Sequence, residues 1–80
     1  MLKIMDDIDL KELEKFGFKG IIVDGKILSY TKSFKHPCYN STDVYTSDRK
    51  ISYFNRPNLD TIYDLVKANI VEKIPDIQYE

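Results

Sequence analysis

Cysteine, histidine, glycine and net charge are all scarce in this chain of 80 residues. The solitary Cys38 excludes an internal disulfide framework and suits a reducing cytosol. His36 is the sole histidine, so the four ligands of a structural zinc site cannot be assembled, even with Asp43 recruited. His36 and Cys38 could in principle form a thiol nucleophile and its base, oriented by Asn40 or Asp43. They sit in one loop about Pro37, however, with no helix N-terminus to lower the thiol pKa, so an unreactive thiol is expected. The three glycines are taken up by a helix cap, a strand start and a turn, leaving none for a phosphate-binding loop. Asp6 and Asp7 are adjacent and do not face one another, so they read as solvated surface.

No apolar run is long enough to span a membrane, and Met1 to Leu10 carries three Asp, unlike a signal peptide. A net charge of −1 gives the whole molecule no electrostatic pull toward nucleic acid or membranes. No catalytic group, metal or cofactor is expected, and the chain reads as a non-enzyme. At this length it makes one domain, near the lower limit for a core without staples.

What is present is local structure and a basic, aromatic middle. Ile8 to Phe18 reads as a helix of about two turns. Asp9 and Glu12 form a capping box, Ile8 and Leu13 a staple, and Gly17 a left-handed cap with Phe18 folding back on Leu13. Near the other end, Pro57 stops the chain, Asn58 caps a second helix and Asp60 sits in its first turn. Leu59, Ile62, Tyr63, Val66 and Ile70 fall at helical spacing on the face expected to be buried, with Asp60, Asp64 and Lys67 pointing away.

Between the helices, Gly20–Val23, Asp24-Gly25 and Lys26–Phe34 read as a β-hairpin with a two-residue type I′ turn. In that reading Val23 faces Lys26, Ile21 faces Leu28 with Tyr30 on the same side, and Ile22 and Ile27 take the other side. Both faces carry apolar residues, so each is expected to be covered at least in part. His36 to Thr42 reads as a polar loop, followed by strands Asp43–Thr46 and Arg49–Asn55 about a turn at Ser47-Asp48. Met1–Met5 reads as an edge strand or loose arm. Ile70–Ile74 reads as a frayed turn or short strand, stopped by Pro75 before the tail Asp76–Glu80. The fold class is therefore α+β: a small antiparallel β-sheet of three to four strands, with a short N-terminal helix and a C-terminal amphipathic helix packed on it.

Charge is uneven along the chain: net −2 over residues 1–25, +4 over 26–56 and −3 over 57–80. The positive middle interleaves Lys32, Lys35, Arg49, Lys50 and Arg56 with Tyr30, Phe34, Tyr45 and Tyr53 (Tyr39 and Phe54 lie among them). Three readings stay open: part core and part solvated edge, a protein-binding surface rich in Tyr and Arg, or a single-stranded nucleic-acid face. A winged-helix DNA reader fits less well, because Asp60 and Asp64 stand where phosphate and base donors are needed and a third helix is missing.

Leu10–Phe18 (LKELEKFGF) and Leu59–Lys73 (LDTIYDLVKANIVEK) resemble small phage and prophage proteins of low-GC Gram-positive bacteria. In that group an LKELEKFGF opening, a β-rich middle and an LDTLYDLIxAxLVEKV ending recur. The resemblance covers about the first 20 and last 25 residues and carries over no functional residue. It implies an accessory protein in the host bacterial cytoplasm that binds a host or phage protein without catalysis. Some proteins of this kind disable host defences such as CRISPR–Cas by occluding a site. Candidate partner-binding residues are thus Tyr30, Lys32, Phe34, Lys35, Tyr45, Arg49, Lys50, Tyr53 and Arg56. A nucleic-acid partner is the alternative, no membrane partner is expected, and the unprotected sheet edges are compatible with a homodimer.

Overall fold

The Asp24-Gly25 turn closes as its residue types require: both positions have positive φ (51° and 78°), the demand of a type I′ turn. It joins β2 (Lys19–Val23) to β3 (Lys26–Phe34), and β4 (Asn40–Tyr45) and β5 (Ile51–Phe54) follow in an antiparallel sheet of order β2-β3-β4-β5. A second, two-stranded sheet pairs β1 (Leu2–Ile4) with β6 (Val71–Lys73), in the register Ile4 against Val71. A 3-10 helix (Leu10–Phe16) follows β1, and α1 (Leu59–Lys67) precedes β6. The protein is therefore α+β. This computed structural model describes residues 1–36 and 38–75; Pro37 and the expected tail Asp76–Glu80 lie outside the described residues.

The N-terminal helix is a 3-10 helix, for a reason visible in its spacing. Leu10, Leu13 and Phe16 recur every third residue, and a repeat of three per turn holds all three in line on one face. Leu10 and Leu13 are buried, and Phe16 packs half-buried beside them. Both ends are capped. Asp9 Oδ1 accepts from the Lys11 amide at 2.9 Å, while Glu12 turns to Lys15 at 2.6 Å and does not reach back, so the expected capping box is only half made. At the C-terminus Gly17 (φ 90°) and Phe18 donate to the Glu14 and Leu13 carbonyls, the two bonds of a Schellman turn.

The core gathers residues distant in sequence: Ile4, Leu10, Leu13, Phe18, Tyr30, Val44 and Leu65. Its sheet members, with half-buried Ile51, lie on one face, because residues directly opposite across strands point the same way (Tyr30 against Val44, Val44 against Ile51). Four sequence expectations need correction. The buried residues of α1 are Thr61 and Leu65, whereas Leu59, Tyr63 and Val66 are exposed. The Asn58 cap does form, at 2.9 Å from the Thr61 amide. The rotation of so short a helix is set by its exit: Asn69 (φ 61°) turns the chain into β6, which pairs with β1.

Asn40, Ser41 and Thr42, read as loop for their polarity, are buried residues of β4. The last strand begins at Ile51, because Arg49 takes φ 62° inside the β4–β5 turn. In the hairpin, Leu28 is an extra residue: Ile22 opposes Ile27, but Ile21 opposes Ser29. Thr46 caps that bulge, its Oγ1 donating to the Ile27 and Leu28 carbonyls at 3.1 and 3.0 Å.

Candidate partner-binding surface

The basic aromatic middle is divided three ways by the sheet. Tyr30 is core, 4% exposed, and offers little to a partner. Lys32 and Phe34 follow it on the same face, half-buried, with the Lys32 ammonium 5.5 Å from the Phe34 ring centre. Across the sheet Lys32 is level with Thr42 and then Tyr53, so Lys32, Phe34 and Tyr53 share that face. Tyr45 pairs with Ser29 on the opposite face, where Thr31 and Ser41 both donate to Asp43 (2.5 and 3.1 Å). Lys35 and Arg56 are exposed beyond the ends of β3 and β5. Lys50 is half-buried and bridges the backbone of Lys3.

Arg49 plays an internal part that its charge did not announce. Its guanidinium Nη1 donates to the Met5 and Ile8 carbonyls at 2.8 and 2.6 Å. Its own carbonyl accepts from the Ile4 amide at 2.9 Å. One side chain thus ties the β4–β5 turn to the segment between β1 and the 3-10 helix. Beside it Asp6 is held below the usual carboxylate range, first by the hydrogen bond and charge of Lys3 and more weakly by Arg49.

The loop residues His36 and Cys38 are exposed, and the Asn55 amide lies 3.7 Å from Cys38 Sγ and 2.7 Å from the Tyr39 carbonyl. Asn55 holds this loop from a left-handed position, φ 73°. Two buried oxygens on β4, Asn40 Oδ1 and Thr42 Oγ1, have no hydrogen-bond partner among the described residues.

Two apolar surfaces went unread in the sequence. The first is the end of the hairpin. Beyond the Ser29–Tyr45 pair β4 stops, and the hairpin residues 21–28 project past its end with every one exposed. Ile21, Ile22, Val23, Ile27 and Leu28 are between 40% and 68% exposed, so the cover expected at least in part on each hairpin face is slight near the turn. The signal was present: aliphatic residues on both faces of a hairpin cannot all find cover in so small a chain.

The second runs from β5 to α1. Met1, Leu2, Ile51, Tyr53, Pro57 and Ile62 line an open groove, and the exposed Leu59 and Tyr63 stand on the helix beside Ile62. Tyr53 is 57% exposed on this surface, with Arg56 in the turn that follows. Among the described residues no helix is long and apolar enough to cross a membrane. Compared with protein-family models, curated proteins and solved structures, the chain matches none.

Proposed function

We propose that this is a non-enzymatic binding protein whose target is another protein, held along the apolar surface from β5 to α1. One observation carries the reading. Among the described residues, seven large apolar side chains are buried in the core, whereas thirteen are exposed. A domain short of core material gains nothing for its own stability by leaving Tyr53, Leu59, Tyr63 and Val66 in water. Tyr and Arg are enriched at interface hot spots, and the exposed Tyr53, Tyr63 and Arg56 supply them here. The resemblance to phage proteins directs the proposal to a host or phage protein in the bacterial cytoplasm, with a component of a host defence such as CRISPR–Cas among the targets.

A single-stranded nucleic-acid partner is the competing reading. It is weakened because Tyr30 is buried and Arg49 is committed to backbone carbonyls. The test is affinity capture from host lysate, with and without nuclease, using wild type and a Tyr53→Ser/Leu59→Ser variant. Both residues are exposed, so the variant keeps its fold. A protein retained after nuclease and lost with the variant supports the proposal. Recovery that disappears with nuclease supports the competing reading, and a protein captured equally by the variant overturns the surface assignment.

A further inference from the structure

We infer that the free edge of β2 pairs with the same strand of a second copy of this chain, joining two four-stranded sheets into one of eight strands. β2 is the outermost strand, and all five of its residues, Lys19 to Val23, are exposed. Natural sheets blunt such an edge with proline, an inward charge or a bulge. β2 has no proline and one charge, at its first residue, and the bulge of this hairpin lies on β3. The other edge of the sheet is partly met: just before β5 begins, Lys50 bridges Lys3 and the Arg49 carbonyl accepts from the Ile4 amide. A strand that pairs with its own copy about a two-fold axis occupies that edge on both chains, so the contact closes as a dimer.

The side chains of β2 are complementary to themselves. The antiparallel register that overlaps all five residues sets Ile21 on the two-fold axis, Lys19 against Val23 of the second copy, and Gly20 against its Ile22. Ile22 is the most exposed aliphatic of the hairpin, at 68%. Gly20 has no side chain, and an open groove lined by Phe18, Gly20, Ile22 and Ile27 lies beside it. The knob of each copy therefore meets the notch of the other. On the core side this makes one continuous row: Tyr30, Gly20, then Ile22 and Ile27 of the second copy. On the open side Ile21 meets Ile21. Edge pairing covers part of the exposed aliphatic surface of both hairpins and leaves the outer faces of Ile27 and Leu28 open, so the interface is small, below about 1,000 Å² in total. So small a contact is expected to associate weakly, and the range to search is about 1–200 µM.

Sedimentation of the full chain from about 1 to about 200 µM spans that range. The wild type is expected to pass from its monomer mass of 9.4 kDa to twice that mass. Ile22→Lys and Gly20→Leu are each expected to stay monomeric and folded by circular dichroism. A Cβ on Gly20 meets Ile27 and Tyr30 at an ordinary 3.6 Å, so a side chain starts there without a clash, and circular dichroism checks that the rest of the leucine leaves the fold in place. Ile21→Cys in a Cys38→Ser background tests the register without relying on either variant. Opposed residues at the axis stand about 4.5–5.5 Å apart, within disulfide reach, so oxidation should link two chains.

A wild type that remains monomeric at the highest concentration overturns the inference and leaves the edge to a strand from another partner. A dimer that survives both variants, or a cysteine variant that does not cross-link, also overturns it. None of these outcomes touches the β5–α1 proposal, which uses another surface.

Discussion

Leu13 and Ile22 are aliphatic side chains of similar size that meet opposite fates. Leu13 is fully buried among Ile4, Val44 and Leu65, and Ile22 is 68% exposed at the end of the hairpin. The base of the molecule is held by residues that meet only through tertiary structure, with Arg49 reaching back more than 40 positions to Met5 and Ile8. The hairpin end is held by its own turn: Asp24-Gly25 closes it, and Thr46 pins the bulge. A turn that forms from local chemistry does not require its flanking side chains to be buried. The apolar residues of the hairpin are therefore available for association, and those of the base are not.

The comparison predicts a large difference in stability between two similar truncations. Leu13→Ala should cost about 2–5 kcal/mol, as a buried leucine that leaves a cavity does. Ile22→Ala should fall within about 0.5 kcal/mol of wild type, as exposed substitutions do. Urea unfolding near 1 µM, where self-association does not contribute, measures both. Similar costs at the two sites would erase the distinction between base and hairpin.

Arg49 sharpens the same contrast from the side of charge. Arg49→Ala removes a charged donor from two backbone carbonyls and should cost about 2–3 kcal/mol. That is a sizeable share of the roughly 4–12 kcal/mol expected for a domain of this length. Arg49→Lys should recover part of the loss, since an ammonium can donate but lacks the planar fork. Arg56→Ala, on an exposed residue, should stay within about 0.5 kcal/mol. If Arg49→Ala proves as mild as Arg56→Ala, Arg49 belongs with the surface cations and not with the base.

These residues also show which parts of the fold were legible in the sequence. The hairpin turn, both helix N-caps and the Schellman turn were readable because each rests on residues within a few positions of one another, whereas the end segments, which pair with each other, read as strand or arm and as turn or strand. The buried face of α1 was not. Leu59, Tyr63 and Val66 give a clean apolar stripe, but the pairing of β6 with a strand about 70 positions away rotates Thr61 and Leu65 inward. The register of β2 on β3 was missed by one residue, because nothing local marks Leu28 as a bulge. The candidate surface was blurred for a related reason. Arg and Tyr are used both for interfaces and for structure, and only tertiary contacts separate Tyr53 from Tyr30 or Arg56 from Arg49.

Tyr30 stands at the border of the two regions: Leu28 is 49% exposed and Tyr30, two residues on, is 4% exposed. Loss of hydration pushes its phenol above the ordinary value of 10.0, with the nearby charges of Glu14 and Asp9 adding to the shift. The folded state thus holds this proton more tightly than the unfolded chain does. Stability from this group is complete below pH about 10 and declines as pH rises toward the folded value, because the unfolded chain ionises first. Tyr30→Phe removes that decline. Its unfolding free energy relative to wild type should be constant from pH 7 to about 9 and turn in favour of the variant above about 10. A difference that stays constant across the whole range would mean that the Tyr30 phenol is hydrated, and that the border lies further down β3 toward Phe34.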